Sequence, residues 1–461
     1  MIFTLAVRSL LAHPIRTAVL AAGFGVGVAV MAILLGVAEV VLQQARAPEL
    51  AGGGDVLVTG VTGSVTAARA LLGSTLRSST LSPRVAAASP WRRTTSYLIT
   101  SKGTRVVRTH GGIPSRERIL RDPETADQPD WSDTPADRAW FSPDPGDVLR
   151  AVDRFHPIPD VPARADSWAE WLYFNGRSAG ARFYLTFLVG PSTTAGRRRA
   201  TVRLQLDRGR RVENFETNTE IDEHAVRMAP DLTIGRNSVR LRGVKYEISV
   251  ELRDKSGRAA SGTLVITPRP ESLLPPIEVH GAAGWRSGYV VPVMSGSVEG
   301  TLTVDGAAVD FAGGAGYHDH NWGHWRGVSW QWGQVQHADT SFVYGRIFPP
   351  RDAADPSRMP GFMTAIGADG LVGYATDVTI DETSNADNRP RQIVVRGRGE
   401  RVDLTLRFDV ESAIVTRMNE FVLASGMDFL QMRGEYAAAG QIGDLSVQFT
   451  APGSAETFRG R

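Results

Sequence analysis

From Trp168 onward the chain alternates apolar and polar residues with a period of two. "ATVRLQLD" sets Val202, Leu204 and Leu206 against Arg203, Gln205 and Asp207. "YEISVELRD" sets Tyr246, Ile248, Val250 and Leu252 against Glu247, Ser249, Glu251 and Arg253. "GTLTVDGAAVDF" carries Leu302 and Val304 into Asp305-Gly306, a dipeptide suited to the positive φ angles of a two-residue hairpin turn. "RVDLTLRFDV" and "DLSVQF" repeat the alternation near the C-terminus. One apolar and one polar face is the pattern of antiparallel sheet with a solvated outer side. Roughly sixteen such segments are too many for one open sheet, and closure removes exposed edges. The pattern predicts a mainly β protein with two antiparallel β-barrels in tandem. The interruption at "PESLLPPIEVHG" places their division near Pro275-Pro276, giving domains 160–275 and 276–461.

Ahead of the strands the period changes. Residues 17–42 carry one charge, Glu39, and as a helix would rise about 39 Å, enough to cross a hydrocarbon core of about 30 Å. Arg8, His13 and Arg16 precede the run and only Arg46 follows it closely. The positive-inside bias then puts the N-terminus in the cytoplasm and the remainder outside. Ala45-Arg46-Ala47 has the form of a signal-peptidase site, but the apolar run exceeds a usual signal core and Pro48 would follow directly. The expectation is a single-pass anchor in the inner (cytoplasmic) membrane within residues 1–50, with the following domains periplasmic or extracellular. Residues 51–159 read as an extracytoplasmic connector. It holds a short helix at "VTAARALLGSTL", two strands about Lys102-Gly103, an irregular Pro/Asp/Arg-rich linker, and a helical turn or two at "GDVLRAVDRF".

Composition narrows the chemistry. Hydrophobic content of 42% and charged content of 22% describe a globular chain. With 51 basic and 49 acidic side chains the formal charge is +2, which gives no field to gather nucleic acid. Cysteine is absent, so disulfides, thiolate chemistry and Cys-ligated zinc are excluded.

One stretch stands apart. "GYHDHNWGHWRGVSWQWGQVQH", Gly316 to His337, concentrates histidine and tryptophan. As a strand it turns His318, His320 and Trp322 to one face and Tyr317, Asp319 and Asn321 to the other. The H-x-H pair would need a third ligand from His324, His337 or a distant carboxylate, and the spacing supplies none. No metal and no cofactor is expected. Acid–base work suits the cluster better: an acid held in an apolar pocket can protonate carbon, and indole faces can stabilise the resulting cation. His318, Asp319 and His320 are the candidate acids, Trp322, Trp330 and Trp332 the candidate walls, and Tyr344 in "SFVYGRIF" completes the polar set. The competing reading makes the tryptophans barrel core and the histidines buried structural donors. In "EWLYFNGR", Trp171, Tyr173 and Asn175 share a face that can line a pocket, and Glu170 is a candidate buried partner of Arg177.

"SWAEWLYFNGR" and "GYHDHNWG", in this order, resemble the paired signatures of the AttH/CrtC lipocalin-like family, and "APGSAETFRG" is similar to its last strand. The resemblance covers roughly residues 160–458. It implies two packed lipocalin-like barrels with a hydrophobic pocket, and an activity such as that of carotenoid 1,2-hydratases (hydroxyneurosporene synthases). Those enzymes would carry a carboxylate two residues beyond the tyrosine, where this chain has Arg346. Separately, "RSLLAHPIRTAVLAAGFGVGVAVMAILLGV" with "GGGDVLVTG" resembles the first membrane segment of FtsX/MacB-type ABC-transporter permeases, over about residues 1–60. No later window approaches the length of a second span, so this resemblance implies a partner or a relic of such a transporter and not a complete permease. The expected partner at the pocket is a hydrophobic small molecule, an isoprenoid or lipid, that is hydrated, cyclised or isomerised. The alternative is a non-catalytic carrier beside ABC transporter components.

Overall fold

The computed structural model describes residues 12–18, 24, 31, 54–59, 68–77, 81–100, 103–122, 130–141, 143–193, 196–209, 211–399, 401–417 and 427–460. The expected membrane span, residues 17–42, lies outside these apart from Thr17, Ala18, Phe24 and Met31. Among the described residues, no helix is long and apolar enough to cross a membrane. The permease-like stretch likewise falls mostly outside them.

The chain forms two compact units, one from residues 1–59 and 87–134, the other from 60–86 and 135–461. The smaller contains the expected hairpin, β1 (Arg92–Thr100) and β2 (Gly103–Gly111), with Thr100 opposite Gly103. A helix, Pro114–Leu120, follows, opened by a proline whose missing N–H costs nothing in a first helical turn.

The larger unit begins with the helix Ala68–Arg77, where the sequence places one. Its first sheet comprises β3 (Trp168–Arg177), β4 (Ala181–Ser192), β5 (Arg198–Arg208) and β6 (Arg211–Ile221). It continues with β7 (Thr233–Ile234), β8 (Asn237–Arg242), β9 (Lys245–Arg253) and β10 (Ala259–Pro268). β11 (Leu274–His280), β12 (Arg286–Val304), β13 (Ala307–Asp310) and β14 (Gly314–His324) complete it. Eight of these close a ring in the order β3-β4-β5-β6-β9-β10-β12-β14, and β14 returns to pair with β3. The alternation in β9 is realised as read: Tyr246, Ile248, Val250 and Leu252 are buried, while Glu247 and Glu251 face solvent. Asp305 and Gly306 take φ of 51° and 80°, the positive values the β12–β13 turn requires.

The second sheet contains β15 (Ser329–His337), β16 (Thr340–Phe348), β17 (Phe362–Gly367), β18 (Gly370–Ala375) and β19 (Asp377–Ser384). β20 (Pro390–Gly399), β21 (Val402–Arg417), β22 (Met427–Ile442) and β23 (Leu445–Gly460) follow. They form a meander in which β23 pairs with β15. β18 packs on β20 and β21 across the remaining gap, so the barrel is nearly closed.

The division expected at Pro275-Pro276 falls inside the first barrel, because β12 and β14 both pair within it. The two prolines occupy a register shift between Leu274 and Ile277 of β11, where a strand tolerates residues that cannot donate to the ladder. The first barrel therefore runs to His324 and the second starts at Ser329. The His–Trp stretch straddles the junction.

Among the described residues, three of the four buried clusters belong to the barrels and their junction. One fills the first barrel around Leu172, Phe174 and Phe183, and one fills the second around Tyr344, Phe408 and Tyr436. The third, with Trp171, Leu188, Trp325 and Trp332, lies between the barrels.

Candidate functional site: an aromatic cavity between the barrels

β14 is buried along nearly its whole length, on both faces. The strand alternation divides "YHDHNW" into two unlike environments.

The inner face meets the segment after the helix Pro145–Val152. Asp144 caps that helix, accepting from the Asp147 amide at 3.0 Å, and the helix seats Val148 and Val152 against Trp168 and Trp322. This delivers Asp153 to the end of the first barrel. His318 stacks on Phe174, with ring centroids 4.1 Å apart. Its Nδ1 lies 2.9 Å from the Tyr173 carbonyl and its Nε2 2.9 Å from Asp153 Oδ2. His320 is held between two carboxylates, with Nε2 2.8 Å from Glu170 Oε1 and Nδ1 3.1 Å from Asp153 Oδ1. Burial alone would push the His320 imidazole down, but the two carboxylates raise its pKa to about 9. Burial likewise works against ionisation of Asp153 and Glu170. The histidines overcome it and hold both carboxyls below their usual range. His156 completes the network, its Nδ1 2.7 Å from Glu170 Oε1 and its amide donating to Glu170 Oε2 at 2.9 Å. Trp322 stacks on His156 at 4.3 Å and donates to Glu278 Oε1 at 3.0 Å.

His156, Glu170 and His320 bring three ligand atoms within 4.8 Å of one another. The two nitrogens sit 2.7 and 2.8 Å from the same carboxylate oxygen, which are hydrogen-bond lengths. Ligands around a tetrahedral zinc with bonds of about 2.0–2.1 Å would stand about 3.3 Å apart. As arranged, the group is an ion-pair network bridged by protons, and it would have to open to hold a cation. A second such group, His110, Glu117 and Asp122, belongs to the smaller unit.

The outer face of β14 is different. Tyr317, Asp319 and Asn321 turn toward the second barrel. There a cavity of about 240 Å³ is lined by Trp171, Tyr173, Trp325, Trp330, Trp332 and Phe429 among others. Trp330 stacks on Phe458 at 4.2 Å, and Trp171 lies 4.6 Å from Trp325. A hydrogen-bonded chain runs along one wall. Trp332 Nε1 donates to the Tyr289 hydroxyl at 2.9 Å, and the Tyr289 and Tyr317 hydroxyls lie 2.8 Å apart. Tyr317 then donates to Asp319 Oδ2 at 3.0 Å, and Asn321 donates to Oδ1 at 2.8 Å. Even with these donors, burial pushes the Asp319 carboxyl up to about 8. Glu456 of β23 enters the same cavity, raised to about 8 by burial and then by the charge of Asp319. Burial thus favours the protonated form of both carboxyls.

Of the sequence-derived residues, Asp319, Trp171, Tyr173, Trp330 and Trp332 meet at this cavity. The others lie elsewhere. His318, His320 and Trp322 face the ion-pair network, because alternation sends them to the opposite side of β14 from Asp319. Asn175 accepts from Gln334 Nε2 at 3.2 Å in a separate small recess where the barrels touch. Tyr344 points into the second barrel, its hydroxyl 3.0 Å from that of Tyr436. A Cβ at Gly333 would collide with both hydroxyls, which is why glycine follows "WQW". Glu170 pairs with His156 and His320 instead of Arg177, which donates to the Gln336 carbonyl at 3.2 Å.

Sequence reasoning missed Glu456, Gln431, Tyr289 and Phe429 at the cavity, and Asp153 and His156 in the network. A usable signal existed for Glu456. It shares a strand face with Ser454 and Phe458 in a segment otherwise apolar and small, where a carboxyl is unlike its neighbours.

No family model and no curated protein matches the sequence. Among solved structures the chain is similar to a candidate AttH of Nitrosomonas europaea. The two share 15% identity over 66% of this chain and 99% of that one, with a TM-score of 0.40. It is also similar to kievitone hydratase of Nectria haematococca, with 12% identity over 65% and 93% and a TM-score of 0.43. A third similar structure is CghA with Sch210972, with 12% identity over 67% and 94% and a TM-score of 0.42.

Proposed function

We propose that the protein binds a hydrophobic small molecule between its two barrels and transfers a proton to it from Asp319. The observation that carries this reading is the placement of a neutral carboxylic acid in a cavity walled by indole and phenyl rings. Protonating an isolated C=C needs an acid that is protonated at working pH and shielded from bulk water. Asp319 meets both conditions, and Tyr317 and Asn321 fix its two oxygens. The proton passes from the Asp319 carboxyl to one alkene carbon, leaving a carboxylate and a carbocation. The faces of Trp171, Trp330 and Trp332 stabilise that cation. Addition of water, with its released proton returning to Asp319, completes a hydration. Loss of a proton from the neighbouring carbon to Asp319 completes an isomerisation instead, and a cyclisation results if a second double bond of the substrate first attacks the cation to close a ring and the new cation then loses its proton.

A membrane anchor in residues 17–42 and an extracytoplasmic location belong to the same proposal, since an apolar ligand partitions into the adjacent bilayer. The test is to incubate the purified full chain with a lipid extract of its host and compare extracts by liquid chromatography–mass spectrometry. A compound that gains water, or changes retention at constant mass, supports the reading. A lipid retained on the protein without conversion would make it a carrier.

A further inference from the structure

β22 and β23 place Gln431 directly opposite Glu456, and β15 places Trp332 opposite Glu456 on the other side. All three side chains line the cavity between the barrels. Gln431 is 4% exposed and Glu456 7% exposed. Gln431 Oε1 accepts from the Tyr173 hydroxyl at 3.4 Å, which leaves the amide nitrogen turned the other way. Gln431 Nε2 and Glu456 Oε1 are both buried and make no hydrogen bond of good geometry; Gln431 and Tyr173 lie near enough to favour the Glu456 carboxylate but only partly offset its burial. A directly opposed cross-strand pair has Cβ atoms about 4.5–5.5 Å apart, close enough for both groups to reach one ligand atom. Two unsatisfied polar atoms side by side in an apolar cavity would each cost stability if nothing met them. Several neighbouring polar atoms are satisfied within the protein: Trp332 by Tyr289, Tyr317 by Asp319, and Asp319 also by Asn321, while Arg346 Nε, also on the cavity lining, has no partner.

We infer that Gln431 and Glu456 form a clamp for a hydroxyl group on the ligand, so that the natural substrate is a hydroxylated aromatic or alicyclic molecule and not a bare hydrocarbon. The Gln431 amide N–H donates to the hydroxyl oxygen and the hydroxyl proton is given to Glu456 Oε1. A hydroxyl both donates and accepts, and so satisfies the two atoms at once. The ring body lies against Trp171, Trp330 and Phe429. This inference rests on the proposed ligand-binding cavity but not on proton transfer by Asp319.

The test uses matched probes on the full chain: biphenyl, para-phenylphenol and para-methoxybiphenyl, followed by quenching of tryptophan fluorescence. The wild type is expected to bind the phenol about tenfold more tightly than biphenyl, or about 1.4 kcal/mol. The methoxy probe, which only accepts, falls between them. Gln431→Met and Glu456→Met should each bring the ratio of phenol to biphenyl affinity down towards one. Glu456→Gln, which keeps the shape and an acceptor, should retain most of it. Asp319→Asn should keep the full preference, so a failure of the proposed proton transfer and a failure of the clamp read out separately. Equal affinity for phenol and biphenyl in the wild type, including no measurable binding of either, overturns the inference. So does a preference that survives both methionine variants.

Discussion

Asp319 and Glu456 belong to different barrels, on β14 and β23, and meet in one cavity, where burial first and the neighbouring Asp319 carboxyl second raise the pKa of Glu456. The site is therefore a product of barrel docking. The first barrel supplies Asp319, Trp171 and Tyr173, and the second supplies Trp330, Trp332 and Glu456.

Asp319→Asn should abolish turnover while preserving the cavity, since an amide keeps the shape but has no acidic proton to deliver. A loss of roughly 10²- to 10⁴-fold in rate is expected for removal of a general acid. Ligand affinity, read by fluorescence quenching, should stay within about threefold of the wild type.

The rate should also fall as pH rises. Asp319 must be protonated to act, so activity is expected to hold below neutrality and decline through pH of about 8. The same shift affects stability. A carboxyl raised from about 3.9 in the unfolded chain to about 8 when folded contributes most below pH of about 4. That contribution is lost as pH climbs through the folded value. Urea unfolding between pH 5 and 8 should therefore show a shallower decline in Asp319→Asn than in the wild type.

The histidines are expected to act on stability. His320→Ala leaves Asp153 and Glu170 buried without their shared cation, a change that costs about 3–5 kcal/mol. It should lower the urea midpoint. Because the His320 pKa is raised to about 9, its contribution is fully present below about pH 6.5 and is lost as pH rises through about 9. A wild-type midpoint that stays flat across that window would contradict this account of the network.

Much of the fold could be read from the strands themselves. The alternation in β5, β9 and β21 and the Asp305-Gly306 turn each mark a real element, because a half-buried antiparallel strand writes its two faces into the sequence. The barrel boundary could not. Pro275-Pro276 looks like a linker, yet marks only an irregular edge strand, and nothing local reveals that β12 and β14 reach back to β10 and β3. The site was half legible for a related reason. "YHDHNW" gives the two faces of β14 correctly, but not which of them meets the cavity. That is decided by contacts far along the chain, with Asp153 on one side and with Glu456 and Gln431 on the other.

Tyr344 provides a control. Tyr344→Phe removes a hydroxyl contact with Tyr436 inside the second barrel and should cost about 1 kcal/mol of stability. Turnover should not change. A collapse of activity in this variant would move the reactive centre into the second barrel.

The most direct test of proton transfer is isotopic. The full chain and its Asp319→Asn variant would be incubated in deuterated water with the lipid extract of the host, and the products analysed by mass spectrometry and NMR. The account requires non-exchangeable deuterium on a carbon of one apolar compound with the wild type and none with the variant. Equal labelling by both proteins, or ligand bound with no carbon label from either, would contradict it.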